Sequence, residues 1–100
     1  MGLNLWWIEN DGIDGHAWLS PGDVLALREE MLAQGMAGET GIPPGKLAPR
    51  GDEVITPLEI DQALEAASAE PQTLADRTLW QDWLAFLEGA QVRGGIRVRS

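Results

Sequence analysis

The longest amphipathic pattern in the chain lies between residues 73 and 92. At 100° per residue, its apolar side chains fall on one continuous arc of roughly 160°. They are Leu79, Trp80, Trp83, Leu84, Phe86, Leu87 and Ala90. An arc this wide is more than one neighbouring element can cover. The pattern therefore predicts a helix over 73–92, capped by Thr73 with Asp76, at the centre of a small core.

Two shorter helices are indicated by their start signals. Ser20 is followed by proline, glycine and Asp23, and Thr56 is followed by proline, leucine and Glu59. A hydroxyl residue, then proline, then an acid three places on is typical of a capped helix start. These signals predict helices over 21–34 and 57–68. Arg28 falls inside the apolar arc of the first, where it either extends its charged end to solvent or forms an ion pair.

Three apolar segments have the character of strands. Residues 3–8 alternate with apolar side chains on both faces, and 16–19 form a short second candidate. Residues 96–99 alternate apolar and basic, which predicts a half-buried strand with its arginines outward, paired with 3–8. We therefore expect an α+β fold in which three helices pack on a two- to three-stranded antiparallel sheet joining both terminal strands. A mostly helical domain with one terminal strand pair is the alternative.

The chain of 100 residues has the length of a single domain, 1–100. Residues 36–53 contain four glycines and three prolines, so we predict an irregular loop there. A loop of this length is either functional or a linker that crosses the surface.

Charge narrows the classes of partner. The net charge is −9: residues 1–90 carry −12, whereas 91–100 carry three arginines and no acid. Such a chain repels phosphate backbones and anionic lipid, which argues against direct nucleic-acid or membrane binding and suits a cationic protein partner. The absence of cysteine and of a basic, signal-like start predicts a cytoplasmic protein without disulfides.

Candidate chemistry is sparse. Residues 52–59 resemble half of a calcium-binding EF-hand loop, but the ligand positions before them hold Ala48 and Arg50. His16 is the only histidine, and no paired carboxylates suit acid–base catalysis. The sequence therefore predicts no catalytic, metal or cofactor site.

The tryptophans offer a different kind of site. Five tryptophans are many for this length, and Trp6 and Trp18 are the hardest to place in one core. They either close the ends of the sheet or anchor an interface. The candidate partner-binding residues are Trp6, Trp18, Asp11, Asp14 and His16.

The C-terminal third carries a resemblance. The residues that carry it are Trp80, Trp83, Leu84, Phe86, Leu87, Ala90 and the run from Gly94 to Val98. With them, this part of the chain resembles small acidic uncharacterised proteins of actinobacteria. The helix start at residues 56–59 and the excess of arginine over lysine are also similar to features of that group. The resemblance covers about 40 residues and implies a small cytoplasmic protein with no assigned activity.

Two functional hypotheses follow. The first is a non-enzymatic protein-interaction domain, with a homodimer through the terminal strands as a variant, because an unpaired strand edge invites another chain. The second is a small ligand-binding protein or enzyme with a pocket near His16 and the 36–53 loop.

Overall fold

The computed structural model describes residues 2–9, 15–47 and 52–99. The order of elements is strand, strand, helix, strand, helix, helix, strand, with one turn of 3₁₀ helix at Pro44–Leu47. The strands are β1 (Leu3–Trp7), β2 (His16–Leu19), β3 (Asp52–Ile55) and β4 (Ile96–Arg99), and the helices are α1 (Pro21–Ala33), α2 (Pro57–Ala66) and α3 (Arg77–Gln91).

The four strands form one antiparallel sheet in the order β2-β1-β4-β3. The α+β class and the pairing of the terminal strands are confirmed, with Leu5 opposite Val98. The expected number of strands was too low, because residues 52–55, which overlap the end of the predicted 36–53 loop, form β3. Among the described strands, β3 pairs with β4 alone, so it lies at the edge of the sheet.

The core lies between one face of the sheet and the helices. Side chains alternate between the two faces along each strand. In β1, Leu3, Leu5 and Trp7 therefore face the helices, as do alternate residues of the other strands. Both Leu5 and Val98 are fully buried there. They pack with residues from all three helices, including Leu27, Ile60 and Trp80.

Helix α3 supplies the centre of that core, as its sequence pattern predicts. Trp80, Trp83, Leu87 and Ala90 are buried, and the other apolar residues of the arc are half-buried. The helix begins at Arg77 rather than at residue 73, because its N-cap is Asp76, whose side chain accepts from the Leu79 amide at 3.0 Å.

The later start of α3 follows from a buried carboxylate on α1. Glu30 is 0 % exposed and accepts hydrogen bonds from the amides of Gln72, Thr73 and Leu74 at 2.6–2.7 Å. Its carboxylate also accepts from the Thr73 hydroxyl and from Gln34 Nε2. The segment before α3 is therefore fixed to α1 by its backbone and cannot continue the helix.

The other two helix starts follow the sequence signals. Ser20 Oγ accepts from the Asp23 amide at 3.1 Å, and Thr56 and Glu59 form a reciprocal capping box. The helices end at 33 and 66, slightly earlier than expected. Arg28 makes no ion pair with a described residue, and its Nε is buried without a hydrogen-bond partner there.

Trp7 ties the sheet to α3. Its indole Nε1 donates to the Phe86 carbonyl at 3.0 Å, and its ring lies against Gly89. A Cβ built on Gly89 would come within 2.2 Å of the Trp7 ring, so only glycine permits this approach. Trp7 thus packs against the core, on the opposite face of the sheet from its neighbour Trp6.

Candidate functional site: the open face of the sheet

One face of the sheet points away from the helices. Because side chains alternate across each strand, the residues between the buried positions share this side. The residue following β1, Ile8, continues the alternation, since its amide donates to the Gly95 carbonyl at 3.0 Å. We call this surface the open face, and it consists of Asn4, Trp6, Ile8, His16, Trp18, Asp52, Val54, Arg97 and Arg99.

The open face carries several exposed apolar side chains. Trp18 is 58 % exposed, Ile8 45 % and Val54 39 %, and Trp6 is half-buried. A groove of about 340 Å³ crosses the two central strands and is lined by Trp6, Trp7, Ile8, Arg97 and Arg99. Trp6 in β1 and Ile8 just after it are neighbours on this face. Trp18, by contrast, lies diagonal to Trp6, and Val54 lies on the far side of Arg97. An exposed apolar patch with polar residues around it is typical of a contact surface.

Cross-strand contacts hold these side chains in place. The rings of Trp6 and His16 stack with their centroids 5.1 Å apart, and His16 Nε2 lies 3.2 Å from Asn4 Oδ1. The Trp18 indole lies over Gly2, where a Cβ would approach the ring to 2.7 Å. The aromatic part of the open face is therefore ordered by the sheet before any partner binds.

The charge of the open face differs in sign from that of the chain. It holds two arginines and one aspartate, a net charge of +1, on a chain of −9. Arg99 Nε contacts Asp52 Oδ1 at 2.7 Å, with both side chains more than half exposed. Arg97 forms no ion pair with a described residue and lines the groove beside Trp6.

Three of the five predicted partner-binding residues meet on this surface. Trp6, Trp18 and His16 share the open face, on paired strands. Asp11 and Asp14 lie outside the described residues. The alternation of 96–99 predicted outward arginines but did not mark them as site residues. Only the position of β4 beside β1 shows that they border Trp6.

The predicted pocket between His16 and the 36–53 loop is not formed by the described residues. His16 lies on the edge strand β2, whereas Lys46 of the loop contacts the opposite edge strand through the Val54 carbonyl at 2.7 Å. Met36, Ile42 and Leu47 are buried, so the described part of this loop contributes to the core.

Two further observations concern the part of the chain that the structure describes. Within it, no three histidine, cysteine, aspartate or glutamate residues are grouped closely enough to hold a metal ion. None of its helices has both the length and the apolar character needed to cross a membrane.

No family model, curated protein or solved structure matches the chain. The resemblance to acidic actinobacterial proteins stays a prediction.

Proposed function

We propose that this protein is a small non-enzymatic domain that binds a protein partner through its open face. The observation that carries the proposal is the presence of two indole rings and two guanidinium groups on the side of the sheet that faces away from the helices. Tryptophan and arginine are the residue types most enriched where interfaces gain their binding energy. The lack of cysteine supports a cytoplasmic setting.

The chemistry of the groove indicates the kind of segment that would bind. Trp6 and Ile8 offer an apolar surface, and Arg97 offers a planar fork of donors beside it. Guanidinium groups bind carboxylates in a bidentate manner. The partner segment should therefore combine an apolar side chain with a nearby aspartate or glutamate.

Charge separates this proposal from nucleic-acid binding. Aromatic side chains and arginines on a sheet also suit single-stranded nucleic acid. Such binding gains its affinity from several cationic contacts to phosphates, whereas this face has a net charge of only +1 on a chain of −9. One or two carboxylates on a polypeptide match it better. The cationic partner expected from the overall charge would bind outside the open face.

The test is affinity capture from the native host with quantitative mass spectrometry. The test variant combines Trp6→Ser and Arg97→Ser. The matched control combines Val92→Ser and Arg77→Ser, which removes one exposed apolar and one exposed arginine residue outside the open face. Circular dichroism verifies that both variants fold.

We expect the wild type and the control to capture at least one protein in common. The amount of that protein captured by the test variant should be lower by about tenfold or more, which is equivalent to about 1.4 kcal/mol of binding free energy. Identical captures by both variants would refute the proposal, as would the absence of any protein that depends on the open face. Binding of a single-stranded oligonucleotide that is lost only in the test variant would assign the face to nucleic acid instead.

A further inference from the structure

The two edges of the sheet differ in how they are protected. In an antiparallel pair, the backbone groups of alternate residues face the neighbouring strand. The Trp7 amide donates to the Gly15 carbonyl at 2.7 Å, so the backbone groups of Ala17 and Leu19 also face β1. Those of His16 and Trp18 therefore point away from the sheet, and no described residue pairs with them.

The other edge, on β3, is blocked. Lys46 Nζ donates to the outward carbonyl of Val54 at 2.7 Å and is itself held by Glu59 at 2.7 Å. β3 also carries Asp52 and Glu53, which would repel the same strand of a second copy. Charged side chains and a lysine at a sheet edge are devices that prevent strand pairing. β2 contains no acidic residue, no lysine or arginine and no proline.

We propose that β2 of two copies pairs antiparallel about a twofold axis at Ala17, so that the two sheets form one sheet of eight strands. In this register His16 of each copy lies opposite Trp18 of the other, and their outward amides and carbonyls make four hydrogen bonds. The binding partner at this edge is a second copy, because β2 is complementary to itself and carries no acidic residue, so two chains of −9 can pair here without carboxylates facing each other across the strand pair.

Side chains on both faces of the sheet favour this pairing. On the helix side, an apolar groove of about 210 Å³ between β2 and α3 is lined by Ala17, Leu19, Leu79, Asp82, Trp83 and Phe86. The twofold axis brings the two grooves beside each other on the same face of the joined sheet. On the open face, Trp18 comes beside the partner's His16, which continues the aromatic row begun by Trp6 and His16.

This dimer replaces the one expected from the sequence. β1 and β4 are the central strands, so both of their edges are already paired within the sheet. The argument that an unpaired edge can pair with another chain therefore applies to β2 instead. The inference does not depend on the proposed partner. If both hold, the dimer presents two copies of the open face on one continuous surface.

The test measures the mass of the full chain by sedimentation velocity over a roughly hundredfold range of concentration. Trp18→Pro removes the outward amide and leaves the bonds to β1, because proline is tolerated where an edge amide faces solvent. Val54→Pro is the matched control, since it removes the outward amide of the opposite edge. Trp18→Lys places a charge on the edge without altering the backbone, in case the proline variant does not fold.

We expect a concentration-dependent dimer for the wild type and for Val54→Pro, and a dissociation constant at least tenfold higher for each Trp18 variant. The dimer should strengthen at about 0.5 M salt, because salt screens the repulsion between the acidic copies and between the two Asp82 side chains. Amide exchange at His16 and Trp18 should slow as the concentration rises. A wild type that is monomeric throughout, or a dimer that persists unchanged in the Trp18 variants, would overturn the inference.

Discussion

The carboxylate of Glu30 provides the most informative test of how the fold is held together. It accepts five hydrogen bonds, from the amides of Gln72, Thr73 and Leu74, from the Thr73 hydroxyl and from Gln34. Replacing it with glutamine keeps the volume but removes the charge, and its NH₂ group would face amide donors. Glu30→Gln should therefore detach the segment before α3 from α1.

The size of the effect can be worked from the pKa of Glu30. Burial raises this pKa, but the hydrogen bonds from Gln72, Gln34, Thr73 and Leu74 lower it by a larger amount. The net result is a pKa that falls from 4.5 to about 2. At about 1.4 kcal/mol per pH unit, this fall corresponds to about 3 kcal/mol of stabilisation by the charged form. That is a large share of the roughly 5–15 kcal/mol by which a domain is stable.

The sign of the pH dependence follows from a pKa that is lower in the folded state. The stabilisation is complete above the unfolded pKa near 4.5 and is lost as the pH falls towards about 2. Urea unfolding of Glu30→Gln at pH 7 should therefore show a loss of about 2–4 kcal/mol in the free energy of unfolding. The gap to the wild type should shrink as the pH approaches 2.

Glu29→Gln is the matched control, because Glu29 is the exposed neighbour on the same helix. It should unfold within about 0.5 kcal/mol of the wild type at pH 7. If Glu30→Gln were as stable as this control, or if its deficit stayed constant between pH 7 and pH 2, the carboxylate would not anchor the segment as described.

Two further substitutions test the core. Gly89→Ala should destabilise by about 1–3 kcal/mol by thermal or urea unfolding, because the new Cβ meets the Trp7 ring at 2.2 Å. Gly22→Ala, in α1, where a Cβ would meet only Ser20 Oγ at 4.0 Å, should instead gain about 0.5–1 kcal/mol. Equal gains in both variants would contradict the packing of Trp7. Trp83→Ala should cost about 3–5 kcal/mol, since Trp83 is 3 % exposed at the centre of the core. An unchanged melting temperature in Trp83→Ala would show that α3 does not form the centre of the core.

Patterns within a short stretch of sequence predicted much of the fold. The apolar arc of α3, the capping residues Ser20 and Thr56, and the alternation in β4 depend on neighbours a few positions away. β3 was missed because its formation depends on pairing with β4, more than 40 residues later in the chain. A segment that begins with two acids offers little strand signal of its own.

The same distinction between local and distant contacts applies to particular side chains. Glu30 lies on the core side of α1, and an acid there is a visible anomaly, but its partners are backbone amides that no sequence pattern marks. Trp6 and Trp18 could be singled out as hard to bury. That they face the same side as Arg97 followed only from the strand order and register.

The central position of β1 and β4 has a consequence for how the chain reaches its native state. Leu5 pairs with Val98, 93 positions later, whereas it pairs with Ala17 only 12 positions later. Closing the longer loop costs about 2 kcal/mol more conformational entropy. The β1–β2 hairpin and β3 share no ladder until β4 inserts between them. Assembly of the sheet must therefore wait for the last strand, and in a ribosome-bound chain lacking β4 the hairpin and β3 would share no strand pairing.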